Sequence, residues 1–213
     1  MCKTIRAFGL DLLRSLLVYA LVVVAGLFLH VLITYTSAVR FFAKIKPRAF
    51  YSRMSSVPLV AFSTSSSSAT LPLTMETAEE NLGVSKSVSS FVLPLGATIN
   101  MDGTALYQAV AVMFIAQIYG IPLGMGEQLI VVMTATLASV GAAGVPSAGI
   151  ITLIIVLNSV GLGAHVQAGI ALILGVDRIL DMLRTAVNVT GDLSCATVIA
   201  RSEGELESSE IGV

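Results

Sequence analysis

Charge is what this sequence has least of. Asp, Glu, Lys and Arg together make up 12% of its 213 residues, about half the share usual in a soluble domain, and the mean hydropathy is +0.91. Water is therefore not its main solvent. Tryptophan is absent, and the two cysteines, Cys2 and Cys195, are far apart and belong to no CxxC or metal-ligand spacing. That excludes a disulfide framework and a zinc site. The net charge of −1 offers no basic excess for nucleic acid. Glu203, Glu205, Glu207 and Glu210, in the segment 201–213, read as an ordinary solvated acidic end.

What the chain has instead is long apolar runs. Ser15 to Val39 carries no acidic or basic side chain except His30. At about 1.5 Å per residue it exceeds a hydrocarbon core of roughly 30 Å. Lys3, Arg6 and Arg14 precede it as they would in a signal peptide, but the run is too long and no small-residue cleavage site follows, so a retained transmembrane helix is expected. Arg40, Lys44, Lys46, Arg48 and Arg53 come next, five positive charges against a net of two before the span. The positive-inside bias puts that loop in the cytoplasm and the N-terminus outside. Residues 1–54 form this first unit.

In the segment that follows, neither of two short arms can cross alone. Val57 to Phe62 ends in the tract Ser63 to Pro72, and Leu73 to Glu80 is amphipathic, which predicts a hairpin with a polar tip. Val88 to Met101 and Thr104 to Gly126 flank Asn100-Met101-Asp102-Gly103 and read as one broken membrane helix. With the first hairpin they make a unit over 55–126. Leu129 to Ser139 and Ile150 to Val160 flank a second small-residue tip, Gly141 to Gly149, and Val166 to Ala200 is a long helix carrying several charges. These form the unit 127–200. Both halves follow one plan: a hairpin with a proline-containing tip, then a polar, partly broken helix. Interrupted hydrophobic segments at corresponding positions point to a transporter site near the membrane midplane. The fold class expected is an all-α membrane protein of transmembrane helices and two re-entrant hairpins, arranged as an inverted repeat.

Asp181, Arg184, Thr185, Asn188 and Asp192 are spaced three, four, seven and eleven apart, along one helix face. An isolated Asp181–Arg184 pair would be as readily a structural ion pair between helices, but five polar residues in register inside a membrane favour a site. Arg184 offers a planar fork to a carboxylate, Asp181 a counter-charge to an ammonium, and Thr185 and Asn188 further hydrogen bonds. Together they describe an amino acid with an acidic side chain. Asn100 and Asp102, at the helix break, supply oxygens and freed carbonyls suited to a hard cation such as sodium, and Asp192 is a second cation ligand. A serine tract is more often a flexible linker, and a glycine-rich tip more often a plain turn. Set between half-length apolar arms, both are read as meeting a polar ligand.

Four segments, Ser65-Ser66-Ser67-Ser68-Ala69-Thr70-Leu71-Pro72, Asn100-Met101-Asp102-Gly103-Thr104, Gly144-Val145-Pro146, and Asp181 through Asp192, occur in the order found in the glutamate transporter family, the dicarboxylate/amino acid:cation symporters. The chain resembles that family over nearly its whole length. The resemblance implies sodium-coupled symport rather than enzyme chemistry, in a multi-pass protein of the cell membrane. It also implies a homotrimer in which an elevator-type transport domain moves against a fixed scaffold. The scaffold helices and the third helix of the family are not in this sequence, which corresponds to the transport-domain portion. Carried over by motif, the substrate would meet Ser66 and Ser67 at the first tip, Met101 and Thr104 on the broken helix, and Val145 and Gly149 at the second tip. On the last helix it would meet Asp181, Arg184, Thr185 and Asn188. Sodium would meet Gly96, Asn100, Asn188 and Asp192 at one site, with Asp102 beside it, and Thr98, Ser139, Val140 and Ala142 at another. Many archaeal relatives have arginine where Ser65 stands, and Arg178 is the side chain expected to reach that region here.

Three other readings compete. Proton-coupled C4-dicarboxylate members typically lack an acidic residue at the Asp181 position and have asparagine at that of Asp192, so both aspartates favour an amino acid and sodium. An intramembrane aspartyl protease would need a GxGD element, and Asp102 sits in Asn-Met-Asp-Gly instead. A non-transporting fragment that assembles with a full-length partner is the third reading.

Overall fold

The computed structural model describes residues 2–207, with side chains from residue 9 onward, Leu10 excepted. The side chains of Cys2, Lys3 and Arg6, and Glu210, lie outside the described residues. Among those described, every regular element is helical, apart from one isolated antiparallel bridge between Val84 and Leu206. The first helix, α1 (Cys2–His30), continues through two wider π-helical turns, Val31–Tyr35 and Ala38–Phe42. Short helices α2 (Pro47–Arg53) and α3 (Ser56–Thr64) lead to α4 (Ser67–Glu76), which runs on into a π turn, Thr77–Asn81. Then come α5 (Lys86–Ile99), α6 (Asp102–Ile118), α7 (Met125–Val140), α8 (Ala148–Ser159) and α9 (Val166–Glu203).

Two stretches are long and apolar enough to cross a membrane, Asp11–Phe42 and the joined pair Lys86–Ile118. The first is mostly uncovered: Leu13, Leu17, Leu21 and Phe28 are exposed, while Tyr19, Val23 and Leu27, four residues apart, are buried. A period of four puts the buried three on one stripe. That stripe packs on α6, where the Tyr19 and Phe114 rings stack with centroids 4.8 Å apart. α9 is the central element. Its first half joins a cluster with α1, α6, α7 and α8, built on Tyr107, Ile115, Leu153 and Ile173. Its second half joins another with α3 and α5, built on Phe50, Val57, Leu93 and Leu193.

Several expectations need correcting. The first hairpin's turn is only Ser65-Ser66, not the whole serine tract to Pro72: Ser65 takes a left-handed conformation at φ 52°, and the Ser66 hydroxyl accepts from Ala69 N at 3.1 Å, which starts α4 at Ser67. The last helix is not partly broken. It runs 38 residues without proline, about 57 Å at 1.5 Å per residue, and every interior backbone donor can be satisfied. Nor is the acidic end merely solvated. Glu205 O accepts from Ser85 N at 3.1 Å, Glu207 N donates to Gly83 O at 2.8 Å, and the hydroxyls of Ser85 and Ser87 both donate to Glu205 Oε2. These bonds hold the Glu205 carboxyl below the usual carboxylate range. Gly83 is required there, with φ at 64° and no room for a Cβ, which would lie 2.9 Å from Glu207 O. Arg178 is exposed, and the buried Ser65 hydroxyl has no hydrogen-bond partner among the described residues, so the two are not bonded to each other.

Candidate functional site

The stripe on α9 is buried along its length. Asp177, Asp181, Arg184, Thr185, Asn188 and Asp192 are each at most 5% exposed, Arg184 only 1%. Arg184 Nε donates to Asp181 Oδ1 at 3.0 Å, and its Nη1 reaches Asp177 Oδ1 at 3.4 Å. Its Cζ lies 4.2 Å from the centre of the Tyr107 ring, a cation–π contact from α6. Nη2 is 2.7 Å from Asp181 Oδ1, but not in hydrogen-bonding alignment, so this buried nitrogen has charge contact and no acceptor. An unsatisfied donor of that kind costs about 1–3 kcal/mol or more. A carboxylate ligand would remove that cost.

Both hairpin tips close over this stripe. Ser66 Oγ donates to Gly144 O at 2.6 Å and Ser68 N to the same oxygen at 3.2 Å, so the tips touch. Gly144 cannot be larger, because a Cβ would stand 2.7 Å from both Ala97 O and Ser68 Oγ. Ser147, left-handed at φ 64°, donates its backbone N–H to Asp181 Oδ2 at 2.9 Å. Between the tips and α9 lies a cavity of about 250 Å³ of empty space, of which about 10 Å³ could hold the centre of a water molecule. It is narrow. Ser67, Met101, Thr104, Ala142, Val145, Gly149, Asp181, Arg184, Thr185 and Asn188 all line it. Ser66 does not, being spent on capping α4 and joining the tips.

The helix break is held by α9. Asn100 and Met101 leave helical geometry between α5 and α6. Asn188 spans the gap, accepting from Gly103 N at 2.9 Å and donating to Met101 Sδ and Thr104 Oγ1, both at 3.2 Å. Asn100 Nδ2 donates to Asp192 Oδ1 at 2.9 Å and to Asn188 O at 3.2 Å. A Cβ on Gly96 would lie 2.6 Å from Asp192 Oδ1. Gly96, Asn100, Asn188 and Asp192 therefore form one cluster, in which the Asn100 amide nitrogen joins Asp192 Oδ1 to Asn188 O. Asp102 faces α1 instead, with His30 Nε2 at 2.7 Å from its Oδ2 and the Tyr35 hydroxyl bonded to the same atom.

The other expected cation ligands are more dispersed. Thr98 is exposed and its hydroxyl bonds Leu95 O, at 2.9 Å, in its own helix; Ser139 Oγ donates to Thr136 O at 2.8 Å; Val140 is 43% exposed. Among the described residues no group of three or more His, Cys, Asp or Glu is arranged to hold a metal. A hard monovalent cation prefers mixed carbonyl and carboxylate oxygens, and Asp192 Oδ1 and Asn188 O lie together here. Sequence reasoning missed Tyr107 and Gln108 as partners. Asp177 was legible, seven residues before Arg184 on the same stripe. Gln108, whose Nε2 donates to Gly149 O at 3.0 Å and to Thr152 Oγ1 at 2.5 Å, gave no signal, because its partners come from another helix.

Residues 1–202 match the model of the sodium:dicarboxylate symporter family. The chain belongs to that family. Among its relatives, an excitatory amino acid transporter of Caenorhabditis elegans is 46% identical over 94% of this chain and 39% of its own length. The human excitatory amino acid transporters 3 and 1 are 44% and 45% identical, over 98% and 92% of this chain and 40% and 36% of their own. The chain thus spans about two fifths of the length of the curated relatives it matches. The segments Ser65–Pro72, Asn100–Thr104, Gly144–Pro146 and Asp181–Asp192 each contribute lining residues to this cavity.

Proposed function

We propose that this chain binds an acidic amino acid, glutamate or aspartate, together with sodium, as the transport portion of a symporter. The observation that carries the reading is Arg184: a fully buried guanidinium whose Nη2 touches Asp181 but has no hydrogen-bond acceptor, in a cavity also lined by Asp181 and roofed by two hairpin tips. A substrate carboxylate would bond the guanidinium, its ammonium Asp181, and its remaining oxygens Asn188 and Thr185. Charge balance supports a coupled cation. In their ionised forms Asp102, Asp177, Asp181 and Asp192 outnumber Arg184 and His30, and an acidic amino acid adds another negative charge. Burying uncompensated charge costs several kcal/mol, so cations must enter with the substrate. The cluster of Gly96, Asn100, Asn188 and Asp192 is the first such site; Asp102 beside it, and Thr98, Ser139, Val140 and Ala142, belong to the same proposal as further ligands.

A C4-dicarboxylate is the less favoured cargo, because it has no ammonium to set against Asp181. The names of the relatives point the same way. Also part of the proposal are a multi-pass position in the cell membrane, hairpins α3–α4 and α7–α8 entering it from opposite sides, and the four-part division at residues 54, 126 and 200. A homotrimer with elevator-type movement completes it.

The test is binding to the purified chain in bilayer nanodiscs, with aspartate, glutamate, serine and succinate, in sodium or choline chloride. Aspartate or glutamate should bind in sodium and fail in choline. Succinate binding more tightly than either amino acid would overturn the assignment.

A further inference from the structure

Nothing in the binding site uses the basic loop that follows the first apolar stretch. The long apolar stretch ends at Phe42, and at that end Arg40, Lys44 and Arg48 are all exposed. Among the described residues none of these three forms an ion pair. Phe41 and Phe42 stand beside them at 73% and 69% exposed. Aromatic rings next to basic side chains at the end of a span sit at headgroup depth, rings inward and charges outward.

Lys44 adds a second, independent observation. It adopts φ 59°, while Ile45 N bonds Val39 O at 3.2 Å and Ala43 N bonds Ala38 O at 3.3 Å, the bond pattern of a helix end that usually takes glycine. A lysine there carries a conformational cost that glycine would not. Its charge is fixed just past the helix C-terminus, projecting from the end of the span.

We propose that Arg40, Phe41, Phe42, Lys44 and Arg48 form a docking surface for anionic phospholipid, with the phosphate and carboxylate of a headgroup such as phosphatidylserine meeting the three cations. The occupant is a lipid and not a free anion, because the rings beside the charges call for acyl chains. This rests on the reading of Asp11–Phe42 as a membrane span. Each basic residue near an anionic surface adds attraction, so removing three should lower the preference for anionic lipid by about tenfold or more.

The experiment reconstitutes the whole chain in vesicles of phosphatidylcholine with phosphatidylserine, confirms insertion by flotation at high salt, extracts it in mild detergent, and counts retained lipids by native mass spectrometry. The parent should retain phosphatidylserine over phosphatidylcholine, and soluble glycerophosphoserine should not displace it. Arg40→Gln/Lys44→Gly/Arg48→Gln should lose that preference while still floating; the glycine suits the backbone at that position, and the other two residues are exposed. Equal retention of the two lipids by the parent, an unchanged preference in the triple variant, or displacement by the soluble headgroup would each overturn the proposal. A chain that does not float would refute the membrane reading itself, a result distinct from a floating chain without lipid preference.

Discussion

Gly149 on α8 and Arg184 on α9 share one space: a Cβ on Gly149 would lie 2.9 Å from both Cζ and Nη2 of the guanidinium. Nothing so close is tolerated between a methyl group and a charged plane, and the guanidinium is held on its other sides by Asp181, Asp177 and the Tyr107 ring. The second hairpin therefore sets where the fork points.

Gly149→Ala tests this directly. Alanine suits a helix better than glycine, so α8 should form at least as well. The added methyl must push the guanidinium aside, and affinity for aspartate should drop about tenfold or more, the cost of misplacing one charged hydrogen bond. Isothermal titration in sodium would read it. Unchanged affinity would mean that the substrate does not use Arg184.

Arg184→Cys and Asp181→Ala separate the two charges. Without the guanidinium, a substrate side-chain carboxylate is buried unpaired, a loss of about 3–5 kcal/mol, so aspartate and glutamate should bind at least a hundredfold more weakly. Serine brings no such carboxylate, and its affinity relative to aspartate should rise. Asp181→Ala should weaken all amino acids alike, because each carries the ammonium. If Arg184→Cys binds aspartate like the parent, Arg184 serves only as partner to Asp181 and Asp177.

The Asp192 cluster predicts a sodium phenotype. Asp192→Asn keeps the size of the side chain that meets Asn100 but removes its charge, so the steepness of binding with sodium concentration should fall. Gly96→Ala should act the same way from the opposite helix, since its methyl would crowd Asp192 Oδ1 at 2.6 Å. Circular dichroism should show both variants as helical as the parent. Sodium dependence identical to the parent's in both would remove this cluster from the cation pathway.

At the chain's far end, Glu205 holds the loop before α5 through Ser85 and Ser87. Its pKa is lowered in the folded chain, so its contribution is present above the ordinary value of 4.5 and is lost as pH falls through the depressed one. Amide exchange at Val84 and Ser85, followed by mass spectrometry and corrected for intrinsic rate, should show protection at neutral pH that disappears in the acid range. In Glu205→Gln the protection should be weaker at neutral pH and flat with pH. Parent and variant profiles that coincide would show the carboxylate to be idle.

The sequence by itself determined the apolar, all-helical class, the two helical hairpins, the helix break and the α9 stripe. Each of these rests on local information: uninterrupted hydrophobicity, small residues between half-length arms, Asn100 to Gly103 in an apolar run, and helical spacing from Asp181 to Asp192. Only the tertiary structure decided which oxygens meet. The Ser65-Ser66 turn, the continuity of α9, the clasp of Glu205 on Ser85 and Ser87, and the bridge from Gln108 to α8 all depend on atoms far apart in the chain. A backbone carbonyl such as Gly144 O carries no residue-type signal, and Gly149 looks like any other small residue until Arg184 lies against it. Composition and period describe one element at a time, whereas a cavity belongs to several elements packed together.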